Sequence, residues 1–82
     1  MKQRIPIDEL QRMALAGLLM LPQPFSVDMA YDEVIDPVMG NYESTDFPSL
    51  RYLMNRGLTE EGREAIGGWV VSDKGREFLN EQ

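Results

Sequence analysis

The side chains of this chain best equipped for chemistry are its carboxylates. Asp28, Asp32 and Asp36 recur at every fourth residue, a spacing that would set them along one face of a helix, where three acids can in principle hold a hard cation. A calcium loop of the EF-hand type needs oxygen ligands at alternate positions around a central glycine, and no such run occurs, so the spacing reads as solvated helix charge and no metal site is expected. The rest of the catalytic inventory is short. The 82 residues include no histidine and no cysteine. That removes the commonest general base and transition-metal ligand, together with disulfides, iron–sulfur clusters and thiolate zinc sites. The serines lack a histidine base and fall in no Ser-x-x-Lys pattern. Glycines 57, 62, 67, 68 and 75 form neither a dinucleotide fingerprint nor a phosphate-binding loop, and Gly67-Gly68 reads as a turn. The expectation is a protein that is not an enzyme and uses no cofactor.

Charge carries more information. The formal net charge is −6, from 14 acidic and 8 basic residues. No Lys or Arg occurs between Arg12 and Arg51, and that interval holds Asp28, Asp32, Glu33, Asp36, Glu43 and Asp46. The whole net charge therefore belongs to the middle third. Two readings follow. One is a solvated acidic face that aids solubility. The other is a surface that docks a protein partner with a basic surface, with Tyr42 as an apolar anchor among those six acids. Phe25, Tyr31 and Phe47 also fall in or around the interval, as core residues or as further anchors. Of the six methionines, Met39 is the one expected at the surface, and the rest fill the core.

The length fits one small domain, residues 1–82. Its longest apolar run, residues 13–21, is nine residues, half of what a membrane span needs. Asp8, Glu9 and Arg12 precede the run, which argues for a buried helix over a signal sequence. A cytoplasmic protein with no membrane contact is expected.

The elements follow from periodicity and punctuation. Residues 7–21 read as a helix with Ile7, Leu10, Ala14, Gly17, Leu18 and Leu21 on its apolar stripe, closed by Pro22 and Pro24. Leu15 and Leu19 add a second strip, which implies burial on several sides. Residues 26–35 read as a short helix capped by Ser26, with Val27, Ala30, Tyr31 and Val34 inward, ending at Asp36-Pro37. Residues 37–45 read as a loop with a Gly40-Asn41 turn. Residues 46–55 read as a third helix with Asp46 as N-cap and Pro48 in the first turn, stopped by Gly57. Residues 58–66 and 71–79 echo each other (apolar, hydroxyl, acid, charged, Gly-Arg-Glu), so Thr59 and Ser72 are each expected to cap a helical turn. Between them, Gly67-Gly68 followed by Trp69-Val70-Val71 reads as a turn into a strand, with Trp69 in the core.

Leu50-Arg51-Tyr52-Leu53-Met54-Asn55-Arg56-Gly57-Leu58, a gap, and then Gly68 to Leu79 resemble the C-terminal half of a winged-helix domain. In that family a helix ends near a Gly-Leu pair, a β-hairpin wing follows, and a hydroxyl-x-x-Gly-Arg segment opens a final helix. The resemblance covers residues 50–79. It implies a mainly α, winged-helix-like small single domain with a short C-terminal β-hairpin. It departs from the family pattern at Thr59-Glu60-Glu61, which look more helical than extended. The functional implication is a DNA-binding transcriptional regulator, with Arg51, Asn55 and Arg56 at the major groove and Arg63, Lys74 and Arg76 on phosphates, acting as a possible homodimer. Glu60, Glu61, Glu64, Asp73 and Glu77 lie beside those bases and cancel their charge. The first expectation is therefore an accessory protein of phage or mobile-element type. It would bind and modulate a nucleic-acid-handling machine through its acidic middle third, as an inhibitor or DNA mimic. The DNA-binding regulator is the alternative.

Overall fold

A computed structural model describes residues 2–62 and 68–81. The chain is mainly helical with a small antiparallel sheet. Its elements in order are β1 (Gln3–Arg4), α1 (Ile7–Leu19), β2 (Phe25–Ser26), α2 (Val27–Ala30), a π-helical segment Tyr31–Ile35, α3 (Asp36–Asn41), β3 (Tyr42–Glu43), α4 (Leu50–Asn55), β4 (Thr59–Glu61), β5 (Gly68–Val71) and α5 (Asp73–Asn80). The central strand β5 pairs antiparallel with β2 on one side and β4 on the other. A separate two-residue parallel pair joins β1 to β3, setting Arg4 beside Glu43.

α1 runs as its periodicity predicts. Pro6 precedes it, and Leu10, Ala14, Leu15 and Leu18 are buried. Its second half, apolar nearly all round, is not buried all round: Ala16 is exposed and Met20 is 87% exposed. Met20 and Met29, not Met39, are therefore the exposed methionines among the described residues, and Met39 packs against the core. α1 crosses the π segment closely: a Cβ on Gly17 would come within 2.7 Å of Val34 Cγ1. Beyond α1, Gln23 ties the helix end to the sheet. Its Nε2 donates to Leu18 O (2.9 Å) and Leu21 O (3.0 Å), while its Oε1 accepts from Val71 N (3.1 Å).

The second helix departs from expectation at Pro37. Instead of stopping there, helical backbone continues from residue 27 to 41. The reason is the π segment, in which Asp36 N–H reaches back five residues to Tyr31 O. The switch back to α geometry falls at Pro37, the residue with no N–H to place, so the ring removes no bond that the register change had not already disrupted. Gly40 is consequently helical rather than part of a turn, and Asn41 closes the helix with its Nδ2 on Pro37 O (2.9 Å). Ala30 and Val34 point inward as expected and Tyr31 packs against the core, Ile35 is buried as well, but Val27 is 41% exposed.

The third helix is shorter than its pattern. It starts at Leu50, capped by Ser49, whose Oγ accepts from Tyr52 N (3.0 Å), so Asp46 is not the cap and buried Pro48 lies ahead of the helix. Its end is as expected. Gly57 has φ +77°, Gly57 N donates to Met54 O (2.9 Å) and Leu58 N to Leu53 O (2.9 Å). This is the paired closure that a left-handed C′ glycine permits, with Leu53 and Leu58 in apolar contact.

The two halves of the sequence echo take different structures. Thr59 opens a strand, not a helical turn, and is buried with its Oγ1 on Leu50 O (3.4 Å). Pairing with β5 supplies its backbone partners and overrides the local capping signal. Residues 63–66 of that copy lie outside the described residues. Ser72 does cap α5, accepting from Gly75 N (3.0 Å). It also donates its hydroxyl to Gly57 O, and Ser72 N donates to Leu58 O (3.0 Å). The far end of α5 is held by Arg12. Its Nη1 donates to Phe78 O (2.7 Å) and Glu81 O (3.1 Å), and its guanidinium lies 4.6 Å from the Phe78 ring centroid. A cation on the last carbonyls of a helix satisfies acceptors that have no partner within it.

Ser72→Ala removes a cap and leaves Gly57 O without its donor, and is expected to cost about 1–3 kcal/mol in urea unfolding. Ser72→Thr keeps the hydroxyl and is expected to recover at least half of that loss. Arg12→Ala is expected to fray α5, read as lost protection of the Phe78–Asn80 amides in hydrogen exchange.

Candidate functional site

The sequence-predicted acids are placed on the surface but not as one patch. Asp28, Asp32, Glu33 and Asp36 are exposed along the helical stretch of residues 27–41. The π segment widens the turn between Asp32 and Asp36, so a four-residue step no longer stacks one above the other. Glu43 is exposed on β3, next to Arg4 in the parallel pair, so a base from outside the acidic interval is brought against it. Asp46 is exposed in the connection that follows. Tyr42 is half-buried in β3 opposite Gln3. Among the described residues, no group of three or more His, Cys, Asp or Glu side chains is arranged to hold a metal ion.

Beside the acidic helix lies a groove of about 420 Å3, lined by Val27, Tyr31, Leu50, Arg51, Met54, Glu61 and Trp69. The π segment contributes Tyr31, and the flanking elements supply the rest. The start of α2 contributes Val27, the face of α4 contributes Leu50, Arg51 and Met54, and the β4–β5 pair contributes Glu61 and Trp69, which are register partners. The Tyr31 hydroxyl accepts from Leu50 N (3.4 Å), fixing the π segment to the first turn of α4. Trp69 packs against the core as expected and, being half-buried, also lines the groove. The wall is aromatic and aliphatic, and its rim carries one cation and one carboxylate. Asp28 and Asp32 each directly follow a lining residue. An apolar centre with a charged rim is the composition of a protein-recognition surface. Sequence reasoning named Tyr31 and Trp69 without joining them. Val27, read from the sequence as an inward residue, gave no such signal; only its 41% exposure places it on the groove.

The bases named for nucleic acid are dispersed. Arg51 sits on the groove just described. Arg56 caps α4, with its guanidinium 5.2 Å from the Tyr52 ring centroid and its Nη1 on the Tyr52 hydroxyl (3.1 Å). Asn55 and Arg76 are exposed. Arg63 lies outside the described residues. Lys74 runs along Gly57, and with Arg56 it lines a second groove, of about 450 Å3, shared with Asp8, Gln11, Leu58 and Phe78. That groove brings residues of α1, α4 and α5 together across the chain.

No protein-family model, curated protein or solved structure matches this chain. No helix among the described residues is long and apolar enough to cross a membrane.

The groove beside the acidic helix implies a contrast in stability. Val27→Ser, at an exposed lining position, is expected to change unfolding free energy by less than about 0.5 kcal/mol. Ile35→Ala, at a fully buried position about two helical turns further on, is expected to cost about 2–5 kcal/mol. Parallel urea titrations of the two variants would show whether Val27 is free for a partner or committed to the fold.

Proposed function

We propose that the chain is a non-enzymatic binding module that recognises another protein through the Val27–Tyr31–Met54–Trp69 groove and the acids beside it. The observation that carries this reading is the apolar groove lying directly against the most acidic helix. The partner it fits presents an apolar side chain within a basic surface. The apolar side chain enters between Tyr31 and Trp69, and the basic rim meets Asp28, Asp32, Glu33 and Asp36. Glu43 and Asp46 contribute long-range attraction rather than contact at the groove, and they speed encounter more than they hold the complex. A partner of this charge is typical of nucleic-acid-handling machines, and an acidic protein seated on its basic surface would act as an inhibitor by occupying the place of DNA. On this reading the protein has the character of a phage or mobile-element factor working in the cytoplasm.

A second reading is favoured by one specific run of elements. α4 ends at Gly57-Leu58, the β4–β5 hairpin follows, and Ser72-x-x-Gly75-Arg76 opens α5. This supports the winged-helix resemblance, and Thr59–Glu61 as a strand removes the departure from its pattern. Under it, Arg51, Asn55 and Arg56 on exposed α4 would meet DNA, with Lys74 and Arg76 on phosphates. Exposed Glu60, Glu61 and Asp73 on the same elements oppose that reading electrostatically.

The deciding experiment places a photo-crosslinking residue at position 27 and compares the wild type with the reversal D28K/D32K/E33K. All three positions are exposed, so the fold is expected to survive. The expected result is an adduct with a basic protein that the triple reversal abolishes. An adduct unchanged by the reversal would reduce the acids to solvated charge. Titration against random duplex DNA at about 50 and 200 mM salt runs alongside, with no binding expected. DNA binding that falls by orders of magnitude between the two salts would instead put the regulator first.

A further inference from the structure

β4 forms one edge of the antiparallel sheet, and its register decides which of its backbone groups face outward. Thr59 pairs with Val71, Glu60 with Val70 and Glu61 with Trp69. Ser72 N donates to Leu58 O (3.0 Å) and Gly62 N to Gly68 O (2.8 Å), so the hydrogen-bonded pairs are Leu58–Ser72, Glu60–Val70 and Gly62–Gly68. The residues between them, Thr59 and Glu61, therefore turn their N–H and C=O groups away from β5. At Thr59 the edge is closed, because this residue is buried and its Oγ1 lies on Leu50 O of α4. At Glu61 it is open. Glu61 is exposed, and among the described residues no strand pairs with the other side of β4 and none bonds to the Glu61 backbone.

Phe25, Trp69 and Glu61 form one row across the sheet, each the register partner of the next. Side chains in such a row project on the same face. Burial falls along it: Phe25 is buried, Trp69 half-buried and Glu61 exposed. Trp69 and Glu61 both line the groove, with Arg51 and Met54 from α4. The next place in the row lies one strand spacing, about 4.8 Å, beyond Glu61. A side chain there stands directly against Glu61, on the face that carries Trp69. Glu60 is exposed on the opposite face.

The charges select the occupant. A second copy of the chain would lay β4 against β4. Antiparallel registers centred on Glu60, on Glu61 or between them all set an acid directly opposite an acid, which destabilises the pair. A strand of opposite charge meets no such conflict. On the groove's face Arg51 and Glu61 offset each other, so an apolar side chain suits the place between them. On the other face Glu60 stands alone and favours basic neighbours. Glu61 offers one donor and one acceptor, which a single residue of an antiparallel strand satisfies.

We propose that the partner binds by strand addition. An extended segment with the pattern basic–apolar–basic pairs antiparallel with Glu61 on the free edge of β4, its apolar side chain on the groove's face and its basic side chains on the face of Glu60. The inference rests on the protein-binding reading of the groove and adds the conformation and sequence pattern of what it binds. Backbone bonds to Glu61 supply register, and alternate side chains supply specificity.

The probe is the peptide acetyl-Thr-Lys-Leu-Lys-Thr-amide, titrated into the isotope-labelled full chain and followed by amide shifts and hydrogen exchange. Saturable binding is expected, with shifts at residues 27, 61 and 69. The Glu61 amide, free to exchange in the unbound chain while that of Glu60 is protected, is expected to slow by about tenfold or more at saturation. The same peptide with N-methyl-leucine, or with both lysines replaced by glutamate, is expected to bind at least about tenfold more weakly. Glu61→Pro removes the outward N–H, which β5 does not use and where an edge strand admits proline. It is expected to cost a similar factor, whereas Glu61→Gln, which keeps the N–H, is expected to bind within about threefold of wild type. Should the proline variant unfold, the N-methyl peptide tests the same pairing from the ligand's side. Strand addition is overturned by an absence of saturable binding up to about 10 mM, by an unprotected Glu61 amide in the saturated complex, or by the N-methyl peptide binding as tightly as its parent. A basic-protein adduct at position 27 alongside any of these results leaves the groove reading standing and removes strand addition alone.

Discussion

Ser72 is the junction on which the C-terminal half of this structure depends. Its hydroxyl accepts from Gly75 N at the start of α5 and donates to Gly57 O at the end of α4, while its own N–H reaches Leu58 O. One residue therefore finishes one helix and begins another. Gly75 shows how close the two backbones are drawn, since a Cβ there would collide with Leu58 O. The positive φ at Gly57 is the complementary condition, because it turns the carbonyl toward the serine. Neither α4, with six residues, nor α5, with eight, is long enough to persist on its own in water. Their positions are properties of this junction, of Ser49 at the other end of α4, and of Arg12 across the last turn of α5.

The features legible in the sequence are those set by neighbours along the chain. The stripe of α1, the stop at Gly57, the Ser72 cap and the strand after Gly68 each depend on a few adjacent residues, and each stands where local chemistry puts it. The features that were not legible depend on partners far away in sequence. Thr59 has the same local surroundings as Ser72, yet it enters a strand because β5 offers it a ladder. The helix through Pro37 needs a π segment, and that segment is stabilised by packing against Gly17 and by the bond from Leu50 N to Tyr31. Asp46 loses the capping role to Ser49 because buried Pro48 precedes the helix instead of entering it.

The candidate sites divide in the same way. That the acids are exposed was evident from their spacing, and their concentration in the middle third was evident from counting. That Glu43 would be set against Arg4 depends on a parallel pair of two-residue strands that no pattern announces. Val27, Tyr31 and Trp69 come from separate elements and share a groove only once β2 and β5 have paired.

Both grooves rest on α4. Leu50, Arg51 and Met54 form part of one, and Arg56, with Leu58 just beyond, forms part of the other. A six-residue helix presents its whole length within about 9 Å at 1.5 Å per residue, so a shift of α4 is felt in both grooves at once. Its caps oppose such a shift at each end, Ser49 through Tyr52 N and Gly57 through Met54 O. The charge layout fits this arrangement. The acids that give the chain its net charge are confined to the helix and loop ahead of α4, while Arg51 and Arg56 lie on or directly after it. A protein of net charge −6 thus places two of its eight bases on or directly after its central helix. Arg56 is held in place by the Tyr52 ring and hydroxyl, which couples the C-terminal end of α4 to its own middle turn.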